Sequence, residues 1–244
     1  MGLAVVSGGG TGIGAATARG LLLDGYEVAI IGRRAEVLAA TAARLGEETG
    51  RPAAIRTVVA DLRRPDEVAR AVRELGEGNV DVLVNNAGAF VSRTGPSLSD
   101  VDAYWRANLD ANVMTAVLLT EALFDRLTRP GGTLIFISSI AAQRGGGGAY
   151  SAAKAALHGW AYDLAAALGP AGVTVNVVAP GYVEGTEFFV GRMTPEGHAA
   201  RVARTVVGRA GTPDEIADAI RYLVRARYVT GQIIGVNGGA VLGR

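Results

Sequence analysis

Cysteine is absent from the 244-residue chain. That excludes a disulfide framework and any thiolate nucleophile. Histidine is scarce: only His158 and His198 occur, in unrelated contexts, so no histidine metal site is expected. A dominant charge sign is missing as well. The 24 basic and 23 acidic side chains give a formal net charge of +1, with the arginines scattered among the acids. No field therefore favours nucleic acid or a membrane surface as partner. No apolar run has the length of a membrane span. The N-terminus enters a strand at Leu3 without the basic region and apolar stretch of a signal peptide. A soluble cytoplasmic protein is expected. The last scarcity is lysine: Lys154 is the only one, and every other long cation is arginine.

What is present is a 49% hydrophobic content, enough for a large core. Short apolar runs of strand length alternate with longer amphipathic stretches. The strands read as residues 3–7 (LAVVS), 27–32 (EVAIIG), 53–60, 80–87, 132–139 (GTLIFISS), 173–180 (VTVNVVAP) and 231–238. Helices are expected over residues 12–24, 34–48, 65–75, 99–127 and 149–168, with a last helix before the seventh strand. Continuously apolar strands between helices predict an α/β fold: one Rossmann-type domain over 1–244, doubly wound, with a seven-stranded parallel sheet and helices on both faces. Residues 184–210 break the pattern with weak periodicity and Gly, Thr and Pro, and are expected to form a substrate lid.

Two local patterns carry chemistry. SGGGTGIG (7–14) joins the first strand to the first helix, with Gly8, Gly12 and Gly14 spaced G-x-x-x-G-x-G. Glycines there permit a tight turn and close backbone approach, and a helix N-terminus offers free N–H groups to a pyrophosphate. AYSAAKAAL (149–157) sets Lys154 four residues after Tyr150, on one face of a helix. An ammonium fixed beside a phenol favours the phenolate, which would lower a pKa ordinarily near ~10 and fit the phenol for proton exchange with a carbonyl or alcohol.

These two patterns, with NNAG (85–88), APG (179–181) and TGQIIGVNGG (230–239, Asn237 standing where Asp is common), resemble the short-chain dehydrogenase/reductase family over essentially the whole chain. The resemblance implies that Tyr150 is the acid/base and that Lys154 also holds the nicotinamide ribose. Ser139 would polarise the reacting carbonyl, with Ser138 structural. Asn112 would kink its helix and help hold a water linking Lys154 to solvent, whereas Asn108, one turn earlier, would be a polar residue on a half-exposed helix. The cofactor loop is Gly8, Thr11, Gly12, Ile13 and Gly14. Asp61 and Leu62 would flank the adenine, and Asn85, Ala87 and Gly88 the adenosine side. Pro180, Gly181, Val183 and Thr186 would approach the nicotinamide and phosphates. The acid usual after strand two in NAD enzymes is replaced by Gly32, followed by Arg33 and Arg34, whose guanidinium groups suit a 2′-phosphate. NADP(H) is favoured, with NAD(H) possible.

One departure is visible: only ten residues separate Ser139 from Tyr150, and the family commonly has a longer segment there. Phe90, Val91, Arg144, Tyr182, Phe188, Phe189 and Met193 are candidates to line the substrate site. Their largely apolar character suits a lipophilic or acyl-type small-molecule carbonyl or alcohol. Helix 149–168 is apolar on most sides and is expected to pack against a second copy, and the family habit implies a homotetramer or homodimer. The expected activity is that of a ketone reductase or alcohol dehydrogenase, nearest to the 3-oxoacyl-carrier-protein reductases. A non-catalytic nucleotide sensor on the same fold is the alternative.

Overall fold

The computed structural model describes residues 2–187 and 193–243. Strands β1 (Leu3–Ser7), β2 (Glu27–Gly32), β3 (Ile55–Val59), β4 (Val82–Asn85), β5 (Thr133–Ile137), β6 (Thr174–Pro180) and β7 (Ile233–Val236) form one parallel sheet in the order β3-β2-β1-β4-β5-β6-β7. The expected fold is observed. The inner strands β4, β5 and β6 are buried throughout, as their uninterrupted apolar runs require, while the edges β3 and β7 are partly open.

The pleat divides the strand side chains between two cores. Ala4, Val6, Ile135 and Ile137 meet Leu21, Leu38 and Ile220 from α1 (Gly12–Leu23), α2 (Ala35–Thr49) and α9 (Pro213–Arg225). Val5, Leu134 and Phe136 face Val68, Leu119 and Leu157 from α3 (Pro65–Glu74), α5 (Thr115–Leu123) and α7 (Ala149–Leu168). Strand order reverses between β1 and β4, and such a switch point opens a crevice beyond the strands' carboxyl ends.

Several boundaries differ from the sequence reading. Strand β3 starts at Ile55 because Pro52–Ala54 form a 3-10 turn, for which proline has the right φ and no N–H to lose. The helical stretch expected over 99–127 is unbroken from residue 98 to 126 but is not one regular α-helix. It comprises α4 (Leu98–Leu109), begun by a Ser97–Asp100 capping box, then a π turn over Asp110–Met114, then α5. A short helix, α6 (Ala141–Arg144), precedes the glycine run. The ends of the expected lid are pinned: Val183 bridges Gly211, the Glu184 N–H donates to the Gly211 carbonyl (3.0 Å), and the Gly211 N–H donates to the Tyr182 carbonyl (2.9 Å). Between them α8 (Pro195–Val202) has no buried residue.

Candidate active site

A cleft of about 660 Å³ lies over the carboxyl ends of β1, β2, β4, β5 and β6. One end is the turn from β1 into α1. Gly8 and Gly12 have φ of 64° and 50°, which glycine adopts freely. A Cβ on Gly8 would stand 2.9 Å from the Asn86 amide, and one on Gly12 3.3 Å from Thr186. Thr11 begins α1 without capping it by its side chain, so the first-turn N–H groups stay available at the cleft, where Thr11, Gly12 and Ile13 form the wall. Gly14 is not a wall residue. It lets α1 pack on the loop, because a Cβ there would overlap the Gly8 carbonyl oxygen.

The NNAG segment supports this loop from below. The Ser7 hydroxyl accepts from the Asn86 and Ala87 N–H groups, both at 3.0 Å. The Asn86 side-chain amide donates to the carbonyls of Ser7 (3.0 Å) and Gly8 (3.1 Å). The expectation that Asn85 lines the adenosine side is corrected: Asn85 is 3% exposed and donates to the Thr120 hydroxyl at 2.8 Å, beneath the sheet end. Asn86 is the asparagine at the cleft, beside Ala87 and Gly88. The two adjacent side chains point to opposite sides, as the end of a strand requires.

Arg33, Arg34, Asp61 and Leu62 line the same end. Arg63 bonds the Asp61 carboxylate and holds its pKa down at about 2. Arg34 is engaged from the opposite wall by Glu187, a residue the sequence reading passed over. Pro180, Gly181, Val183 and Thr186 complete that wall.

The other end holds the tyrosine and the lysine. Tyr150 sits in the first turn of α7, and its phenol is hydrogen bonded to the Ser139 hydroxyl just past β5. The Lys154 ammonium lies 5.9 Å from the centre of the Tyr150 ring and donates to the Ile137 carbonyl at 2.8 Å. Asn112 lies inside the π turn, where the kink was expected. Its amide donates to the carbonyls of Ala89 (2.7 Å) and Asn108 (2.9 Å), and its oxygen accepts from the Ala89 N–H (3.2 Å). Gly88 permits this convergence: a Cβ there would stand 2.6 Å from the Asn112 oxygen and 3.0 Å from the Lys154 nitrogen.

Burial dominates the electrostatics. It raises the Tyr150 phenol to about 12, against a lowering by the Ser139 hydrogen bond, and it lowers the Lys154 ammonium to about 8. The phenol therefore stands above its ordinary pKa, against the expectation of one lowered by the lysine: desolvation outweighs the opposing hydrogen bond from Ser139. A phenol that holds its proton at neutral pH is equipped to donate it.

Ser138 is structural, as expected. Its hydroxyl donates to the Lys154 carbonyl (2.9 Å), which leaves it to accept from His158 Nε2–H at 2.7 Å. Asn108 differs from expectation. It is fully buried, and its side chain pairs with the Val91 backbone at 2.9 and 3.3 Å, anchoring the loop that carries Phe90. Tyr104 was also missed. Its hydroxyl accepts from the Ala149 N–H (3.0 Å) and donates to the Gly147 carbonyl (3.2 Å), so α4 caps the helix bearing Tyr150. A Cβ on Gly148 would collide with that hydroxyl, and Gly148 has φ 58°.

Of the substrate candidates, Phe90 and Val91 line the cleft, with the Phe90 ring 5.7 Å from that of Tyr150. Tyr182 does not: its hydroxyl bonds His198 Nδ1 of α8 at 2.8 Å. Arg144 and Met193 lie off the cleft wall, and the Met193 sulfur is 3.7 Å from Arg201. Phe188 and Phe189 lie outside the described residues. Among the described residues no group of three or more His, Cys, Asp and Glu side chains could hold a metal ion, and no helix is long and apolar enough to cross a membrane.

Known proteins resemble this chain over most of its length. Residues 2–196 match a family model described as short chain dehydrogenase. The chain is 38% identical to the short-chain reductase protein NovJ of Streptomyces niveus, over 97% of this chain and 93% of that one. It is 36% identical to an acetoacetyl-CoA reductase of Allochromatium vinosum, over 97% of each. Among solved structures it resembles an actinorhodin polyketide ketoreductase variant with NADPH: TM-score 0.85, 30% identity, 98% of this chain and 97% of that one.

Proposed function

The chain belongs to the short-chain dehydrogenase family, and from that premise we propose that it reduces a ketone to a secondary alcohol with NADPH. The observation that carries the reading is the Ser139–Tyr150 hydroxyl pair beside the buried Lys154, at one end of a cleft whose other end is a glycine cradle with two arginines. The cradle fits a dinucleotide. Gly8 and Gly12 leave room where a Cβ would intrude, under uncapped N–H groups of α1 suited to a pyrophosphate. Arg33 and Arg34 would take a 2′-phosphate. Lys154 would take the ribose hydroxyls beside the nicotinamide.

The bound cofactor supplies the hydride. The protein does the rest. The Ser139 hydroxyl donates to the carbonyl oxygen and orients it. The Tyr150 phenol gives its proton to that oxygen as the alcohol forms. The Lys154 ammonium stabilises the phenolate left behind, and Asn112 fixes the backbone of residue 89 beside it. Phe90 and Val91 suit an apolar or acyl-type substrate, of the chemical kind that the names of relatives such as acetoacetyl-CoA reductase describe. Residues 184–210 would act as the lid over this end. A cytoplasmic, homo-oligomeric protein follows from the same reading, with α7, where Tyr162 is exposed, as the contact between copies. Light scattering on the purified chain tests the assembly.

The decisive experiment is a panel of ketones and 3-oxoacyl thioesters followed at the absorbance of reduced nicotinamide. Tyr150→Phe should retain NADPH binding and lose at least ~10²-fold in kcat, the usual share of a proton donor. Unchanged kcat would remove the role assigned to the phenol. Binding of NADPH without turnover on any substrate would return the nucleotide-sensor alternative.

A further inference from the structure

Arg34 and Glu187 approach from opposite walls of the cleft, 153 residues apart in sequence. The contact is two-pronged. Arg34 donates one N–H to Glu187 Oε2 at 2.5 Å and another to Oε1 at 3.2 Å, and the Thr11 hydroxyl adds a bond to Oε2 at 3.3 Å. Both partners line the cleft, and their side chains are 57% and 51% exposed. A forked guanidinium recognises carboxylate and phosphate by the same geometry. Glu187 thus presents to Arg34 the kind of group that a nucleotide 2′-phosphate would present. Gly32 ends β2 without the carboxylate that discriminates against such a phosphate, so the only acid paired with Arg34 among the described residues is the one delivered by Glu187.

We propose that Glu187 is a specificity-determining residue: an internal competitor that occupies Arg34 and must be exchanged for the cofactor's 2′-phosphate. The inference rests on the reading of Arg33 and Arg34 as the 2′-phosphate receptor. Glu187 weakens the preference for the phosphorylated cofactor without abolishing it, because an exposed pair is weak and Arg33 stays at the cleft wall.

The test is binding of 2′,5′-ADP and of 5′-ADP, by calorimetry, to the wild-type protein, Glu187→Gln, Arg34→Ala and the double variant. Glu187→Gln should tighten 2′,5′-ADP about two- to fivefold, the factor an exposed ion pair carries, and leave 5′-ADP unchanged. In the Arg34→Ala background the same substitution should do nothing. Equal tightening of both nucleotides, no tightening, or an effect that persists without Arg34 overturns the proposal. A wild-type protein that does not prefer 2′,5′-ADP over 5′-ADP instead overturns the reading of the arginines, so the two failures are distinguishable.

Discussion

Substituting Gly88 by alanine tests the geometry of the site with one methyl group. The φ of Gly88 is outside the left-handed region, so alanine adds no backbone strain. The effect comes from contact alone. The new Cβ would stand 2.6 Å from the Asn112 oxygen and 3.0 Å from the Lys154 nitrogen, neither of them a free end of a flexible chain. Asn112 is fixed by three hydrogen bonds and is 1% exposed, and Lys154 is 4% exposed and tied to Ile137. Restoring ordinary contact displaces one or both by somewhat under ~1 Å, and an error of that size at a reacting centre lowers a rate by ~10²-fold. Overpacking costs about 1–3 kcal/mol, which for a chain of this length is a drop in Tm of roughly 2–12 °C. Steady-state kinetics and a thermal melt read both. The expected result is a folded protein with kcat down ~10²-fold. A kcat within twofold of wild type at unchanged Tm would refute the convergence of these side chains.

Other perturbations follow from the same contacts. Tyr104→Phe removes the cap on α7 and should cost about 0.5–2 kcal/mol in chemical denaturation, with a fall in kcat larger than any change in the Kd for NADPH; an unchanged melt would show that the hydroxyl caps nothing. Lys154 has a folded pKa of about 8, so carbonyl reduction that needs its charge should fall as pH rises through that value. The same depression gives the opposite slope in stability. The unfolded chain binds more protons between about 8 and the ordinary lysine value of 10.5, so a penalty present in full below that window is relieved as pH rises through it. Lys154→Met should lose both dependences, and a variant that keeps the stability slope would assign it elsewhere.

The parts legible in the sequence were those written in local spacing. Alternating apolar runs set the sheet and its two faces. The four-residue step from Tyr150 to Lys154 set their shared helix face. What escaped needed distance. Choosing Asn86 over Asn85 depends on where β4 ends, and that is fixed by pairing with β5 (Asn85 opposite Phe136) rather than by the NNAG string. Asn108 is buried because the loop at Val91 folds onto α4, 17 residues away. The Tyr104 cap spans 45 residues and the Arg34–Glu187 pair 153, and no periodicity announces either. The direction of the Tyr150 shift was misjudged because spacing reveals a neighbouring charge but not the depth at which both groups are held.

That depth also explains why the chain keeps one lysine. Its cation must end between the Gly88 backbone, the Asn112 oxygen and the Ile137 carbonyl, in a space where even a methyl group would collide. A compact ammonium with three rotatable donors fits such a place, whereas a planar guanidinium with a fixed fork does not. On the surface the two residues are nearly equivalent as solvated cations, and there this chain uses arginine alone. Lys154→Arg is therefore not a conservative change: it should perturb the site as Gly88→Ala does, and adding an alanine at residue 88 to the arginine variant should cost less than adding it to wild type, since both crowd one space. Full additivity of the two losses would show that they act in separate places.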